Sequence, residues 1–152
     1  MKSDVKISGN RLQITRLFDA PREVVFGWWA SAEKLQQWSG CKETTKCEVS
    51  MDFRAGGSFT QKMHIAGAGE FTLTGIYDEI VRPEKIVYHA NIGQGVTRVS
   101  IEFFEEGRGT KVVVTQDGFP NEFLCRTVSQ GTSESFDKLD SLISAQSLAT
   151  HS

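Results

Sequence analysis

From Cys47 to Asp117 apolar residues recur at every second position, and the run is broken only by turn chemistry: Gly56-Gly57, Gly67-Ala-Gly69, Arg82-Pro83, Gly93-Gln-Gly95 and Gly107-Arg-Gly109. Twofold alternation marks strands with one covered face, and Gly and Pro at this spacing supply the tight connections between them. The pattern predicts six successive strands, at roughly 47–53, 57–65, 70–80, 85–91, 96–105 and 109–117. Connections this short make each strand antiparallel to the one before it. A weaker alternation over Arg11–Phe18 puts Leu12 and Ile14 on one side, with Arg16 ambiguous, and adds a seventh strand.

Helical signals flank this block. Asp19-Ala-Pro21 reads as a helix start, with Pro at the first helical position and the Asp19 oxygen accepting from free amides. Val25, Trp28, Trp29 and Ala32 follow at helical spacing, and Ser31 restarts the chain as a second short helix that ends at Trp38-Ser-Gly40. After Gly118-Phe-Pro120 the helical period returns, with Asn121 as cap, and runs to about Ala145. Its stripe of Val128, Phe136, Leu139, Leu142 and Ile143 has a gap at Thr132. The tail from Ser147 is expected to lack order.

At 152 residues and 39% hydrophobic content, the chain is sized for one domain with its core at about 11–145. A net charge of -2 with Lys and Arg dispersed gives no footprint for nucleic acid. The first residues hold no apolar run of a signal peptide, and no stretch has the length of a membrane span, so a cytoplasmic protein without membrane attachment is expected. Cys41, Cys47 and Cys125 are an odd set without metal-site spacing, and read as free thiols in a reducing compartment.

Strand parity names the side chains facing the long helix: Phe59, Gln61 and Met63; Leu73, Gly75 and Tyr77; Ile86, Tyr88 and Ala90; Val99, Ile101 and Phe103; Val112, Val114 and Gln116. Two glutamines and two tyrosines thus stand on an otherwise apolar face. Inward polar groups must bond one another, water, or something held inside. Both a filled core and a cavity with a bound molecule meet that demand. In the second reading Phe59, Gln61, Met63, Tyr77, Tyr88, Phe103 and Gln116 contact the ligand from the sheet, and Trp28, Thr132 and Phe136 from the helices.

Several segments carry a resemblance: Ala20-Pro-Arg-Glu-Val-Val-Phe26, Leu35-Gln-Gln-Trp38, Asp52-Phe-Arg-Ala-Gly-Gly57, Gly75 through Tyr88, Gly109-Thr110 and Gly131-Thr-Ser-Glu-Ser-Phe-Asp-Lys-Leu139. In this order they resemble the SRPBCC (START-like) superfamily, and within it the family named after the carboxy-terminal domain of the activator of the heat-shock protein 90 ATPase. The resemblance implies an α+β helix-grip fold: a curved antiparallel sheet of about seven strands around a long C-terminal helix, with two short helices after strand one. It also implies a cavity between helix and sheet that holds hydrophobic ligands in many superfamily members. Thr132 departs from the family, whose members commonly place Trp after the glycine equivalent to Gly131.

No His, Cys or Ser is framed by catalytic partners, so no catalytic residue, metal or cofactor is assigned. His64 and His89 fall on the outward face by parity, and the Gly67-Ala-Gly69 and Gly93-Gln-Gly95 turns join strands instead of opening helices, unlike phosphate loops. Gly56-Gly57 reads as a requirement of backbone conformation. The first functional reading is binding of a hydrophobic small molecule. The alternatives are a chaperone-associated protein-interaction module and, third, a cyclase or hydrolase of the superfamily. A monomer or homodimer fits each of them.

Overall fold

The computed structural model describes the backbone of residues 3–93 and 95–151, and side chains as far as residue 146. Eight strands form one sheet: β1 (Asp4–Ser8), β2 (Arg11–Phe18), β3 (Thr44–Met51), β4 (Ser58–Ile65), β5 (Gly69–Val81), β6 (Lys85–Asn91), β7 (Val96–Glu106) and β8 (Gly109–Asp117). Between β2 and β3 lie α1 (Arg22–Gly27) and α2 (Ala32–Trp38), and α3 (Glu122–His151) closes the chain. The strand order is β1-β2-β8-β7-β6-β5-β4-β3, every pair antiparallel. Pairing of β2 with β8 brings the two ends of the strand block together, Leu12 opposite Gln116 and Phe18 opposite Thr110. The Thr110 hydroxyl fastens this seam by donating to the Ala20 carbonyl at 2.8 Å.

The fold class is the α+β architecture expected from sequence, with one strand more. Strand β1 carries no readable alternation, because only Ile7 among its five residues is half-buried. Helix α3 runs past Ala145 to His151, and the side chains of the tail from Ser147 lie outside the described residues. The start of α1 also differs: Pro21 itself occupies the cap position in extended conformation, with no side-chain cap, so Asp19 does not serve as one. Ser31 does cap α2, its hydroxyl accepting from Lys34 N–H at 3.4 Å, and Asn121 Oδ1 accepts from Leu124 N–H at 2.8 Å.

The core sits between the concave face of the sheet and α3. Phe18, Trp29, Trp38 and Phe136 interlock edge to face or tilted, with ring centroids of Trp29 and Trp38 4.7 Å apart and Phe18 and Phe136 5.6 Å apart. Arg16 points into the same side of the sheet and is only 3% exposed. Its guanidinium donates to Asp137 at 2.6 Å and Asp140 at 3.1 Å, which ties β2 to the second half of α3. Ser135 and Lys138 hold the same half of the helix to the α2–β3 loop. The Ser135 hydroxyl is 2.6 Å from the Gly40 carbonyl, and the Lys138 ammonium donates to the Ser39 and Cys41 carbonyls at 3.2 and 3.3 Å.

A tyrosine-floored cavity between the long helix and the sheet

Register fixes the floor of the site. Tyr77 pairs with Tyr88, Tyr88 with Val99, and Val99 with Gln116, so these four inward residues form one row across β5, β6, β7 and β8. The next row is Phe59, Gly75, Ala90 and Thr97. Small side chains at Gly75, Ala90 and Thr97 keep this part of the floor low. The Phe59 ring folds over Gly75, where a Cβ would strike Phe59 Cζ and the His89 carbonyl. From there it packs on Tyr77 and Tyr88, with centroids 5.0 and 5.1 Å away.

The roof is low in bulk at the matching place. Gly131 and Thr132 face the sheet from α3, while Phe136, one turn on, is drawn away into the Trp29 and Trp38 cluster. Phe123 points outward and is 79% exposed, so it does not fill the gap either. Small residues on both walls leave a cavity of about 390 Å³. The space is open to solvent at one end, so it is accessible to water or a ligand and is not a sealed packing flaw. Its mouth lies where the exposed lining residues Phe71 and Thr127 stand.

Of the residues expected to contact a ligand, Phe59, Gln61, Met63, Tyr77 and Tyr88 line the cavity, as do Gln116, Thr132 and Phe136. Trp28 and Phe103 do not. Helix α1 ends at Gly27, so the helical phase that pointed Trp28 inward no longer applies, and Trp29 takes the place in the wall. Trp28 is buried elsewhere, under the Lys34 ammonium at 5.1 Å. Phe103 lies behind Trp29 and Phe26, 5.2 Å from each ring. Parity extended by one step would have found Ile65, Phe71 and Ile92, which also line the site. Cys41, at the α2–β3 corner, had no periodic signal.

The polar groups differ in how they are satisfied. Gln116 donates to the Thr97 hydroxyl at 2.9 Å, so one glutamine is bonded within the protein. The Tyr77 and Tyr88 hydroxyls and the Gln61 amide have no hydrogen-bond partner among the described residues, and none is among the sealed, unpartnered polar atoms, which are Arg16 Nε, Arg22 Nε and Trp28 Nε1. They therefore open onto the cavity. Burial raises both phenols, Tyr88 to about 12 and Tyr77 further still with help from Tyr88, so both remain neutral donors at physiological pH. The backbone of Tyr77 is clamped by the Gly56-Gly57 turn: Gly56 N–H donates to its carbonyl at 2.7 Å and its N–H to Gly57 O at 2.9 Å. Gly56 has φ +85°, which explains why glycine stands there.

Outside the cavity, the two histidines are engaged on the outer face, His64 with Glu48 and Glu70, and His89 with Asp78. Among the described residues, Cys41, Glu43 and Glu134 bring potential ligand atoms within 4.8 Å of one another. Glu134 already accepts from Lys42 N–H at 3.2 Å, and the Lys138 ammonium interacts with Cys41, Cys47 and Glu134, so the trio has its own cationic neighbour. No described helix is long and apolar enough to cross a membrane.

The family model for "Activator of Hsp90 ATPase homolog 1-like protein" matches residues 19–144. No curated protein sequence matches the chain. Among solved structures, protein CV1439 from Chromobacterium violaceum is 21% identical, with a TM-score of 0.78 over 88% of this chain and 96% of its own. A protein from Arthrobacter aurescens solved by NMR is 16% identical, with a TM-score of 0.81 over 93% of this chain and 91% of its own. A putative uncharacterized protein from Rhizobium leguminosarum is 24% identical, with a TM-score of 0.75 over 95% of this chain and 99% of its own. These likenesses show that the antiparallel sheet with its two short helices and long C-terminal helix is a fold shared with these proteins.

Proposed function

Because the chain belongs to the activator of Hsp90 ATPase homolog 1-like family, within a fold that encloses space between helix and sheet, we propose that it binds a small hydrophobic molecule in its cavity. One observation carries the reading: a space of about 390 Å³ with aromatic and aliphatic walls, into which two tyrosine hydroxyls and a glutamine amide open unbonded. The volume falls in the ~300–1,000 Å³ range of small-molecule sites, and apolar walls with a few orienting polar groups are their usual composition. Phe59, Met63, Thr132 and Phe136 supply shape and burial. Tyr77, Tyr88 and Gln61 supply orientation. Water in such a space is poorly bonded over most of its surface, so its release favours an apolar occupant.

The family's name refers to activation of a chaperone ATPase, an activity of the protein from which it is taken. For this chain such work would use an outer surface and leave the cavity unexplained. The unpaired state of Cys41, Cys47 and Cys125 fits a cytoplasmic setting for either role. Native mass measurement of protein purified gently from its own cells tests the proposal. A co-purified mass of a few hundred daltons, lost in Thr132→Trp, is the expected result. A retained protein partner with an unoccupied cavity would instead favour chaperone work.

A further inference from the structure

Resting on the reading of the cavity as a binding site, we infer that it selects an uncharged ligand bearing a hydrogen-bond acceptor of the carbonyl kind, and discriminates against the carboxylate of the same skeleton. The first ground is the complete lack of charge in the wall. Among the described residues that line the cavity there is no Asp, Glu, Lys, Arg or His. An anion entering it would lose its hydration and find no counter-charge, which is the most costly kind of burial.

The nearest cation does not alter this. Lys138 reaches the rim but donates to the carbonyls of Ser39 and Cys41, both residues of the cavity wall, and so holds the α2–β3 loop to α3. Arg16 is committed to Asp137 and Asp140 behind the aromatic cluster. Recruiting either for a ligand carboxylate would break a contact between α3 and the rest of the fold.

The second ground is the kind of polar group on offer. Tyr77 and Tyr88 are direct cross-strand neighbours with ring centroids 6.2 Å apart, and their hydroxyl protons have no acceptor among the described residues. Phenol is a better donor than acceptor, and a carbonyl oxygen has two lone pairs with which to meet two donors. Gln116, further along the row, commits one of its two amide N–H donors to the Thr97 hydroxyl, whereas both tyrosine donors at the other end of the row are uncommitted among the described residues. Trp29, Trp38 and Phe59 are among the apolar residues that line the rest of the space, so the remainder of the ligand is an apolar skeleton.

Calorimetric titration with methyl naphthyl ketone and with naphthoate, substituted at the same ring position, tests the inference. The ketone is expected to bind at least about ten-fold more tightly than the carboxylate at neutral pH. In the double variant Tyr77→Phe/Tyr88→Phe, ketone affinity should fall about five-fold while the melting temperature stays near that of the parent. Equal affinities for the two compounds would overturn the charge selectivity and leave the cavity a binding site. Ketone binding untouched by the double variant would overturn the role of the hydroxyls. Failure of both compounds to bind would overturn this inference together with the binding proposal beneath it.

Discussion

The ring of Phe59 lies directly over Gly75, filling the place where a Cβ would stand. This contact turns Phe59 across the floor toward Tyr77 and Tyr88 and defines one end of the cavity. Gly75→Ala is therefore expected to push the ring upward into the space, destabilising the protein by about 1–3 kcal/mol. Chemical denaturation measures the loss, and uptake of a neutral hydrophobic fluorophore should fall in the same variant. A variant of parental stability with unchanged uptake would show that the ring can move aside freely.

Thr132→Trp should fill the cavity from the roof. Phe136 is already packed on Trp29 and Trp38, so a new indole at 132 meets open space and not a filled core. Fluorophore uptake should be abolished and the melting temperature should be maintained or rise. Loss of about 1–3 kcal/mol with undiminished uptake is the outcome that an already repacked roof would give.

The chain has two tyrosines, and both are in the cavity wall, so tyrosinate absorbance reports on this site alone. Each phenol has an ordinary value of 10.0 when unfolded, and Tyr88 is raised to about 12 by burial, with Tyr77 raised further. For an acid whose folded value is raised, the unfolded chain releases its proton first. The stabilising contribution is thus fully present below pH of about 10 and is lost as pH climbs toward about 12. Tyrosinate absorbance should appear only together with loss of the near-ultraviolet circular dichroism of the fold. Reversible ionisation near pH 10 in a still folded protein would contradict the burial described here.

Removing the partners of Arg16 should cost more than removing Arg16 itself. Asp137→Asn with Asp140→Asn leaves a buried guanidinium without its carboxylates, at a cost of about 3 kcal/mol, whereas Arg16→Met exchanges it for an apolar chain of similar length and should cost less. Denaturant midpoints of the two variants decide the order. The reverse ranking would mean that the guanidinium reaches water when unpaired.

Much of this site was legible in the sequence because a sheet has a strict period. Phe59, Gln61, Met63, Tyr77, Tyr88 and Gln116 were placed on the inward face by counting in twos, and that count survives even though β5 shifts register just after Tyr77. Counting in helical steps was less secure. Trp28 and Trp29 follow a helix of six residues that stops at Gly27, and only the turn geometry decides which indole reaches the cavity. Arg16 could not be resolved from its strand alone, since the carboxylates that make its burial tolerable are 121 and 124 residues away. The gap at Thr132 was readable as missing bulk, but its persistence depended on where Phe136 and Phe123 would turn.

The seam between β2 and β8 also imposes a timetable. Every other pairing in the described sheet joins strands consecutive along the chain and closes through a short connection. Leu12 must instead wait for Gln116, and Ala20 for the hydroxyl of Thr110, so this contact bears the largest loop-closure entropy in the sheet. On a ribosome, the hairpins from β3 to β7 emerge with their apolar faces uncovered before β8 can join β2 or α3 can be made. Until the last fifth of the chain has left the tunnel, helix α3 is not there to cover the inward face of these strands, so the apolar side of the sheet is the last part of the fold to be sealed.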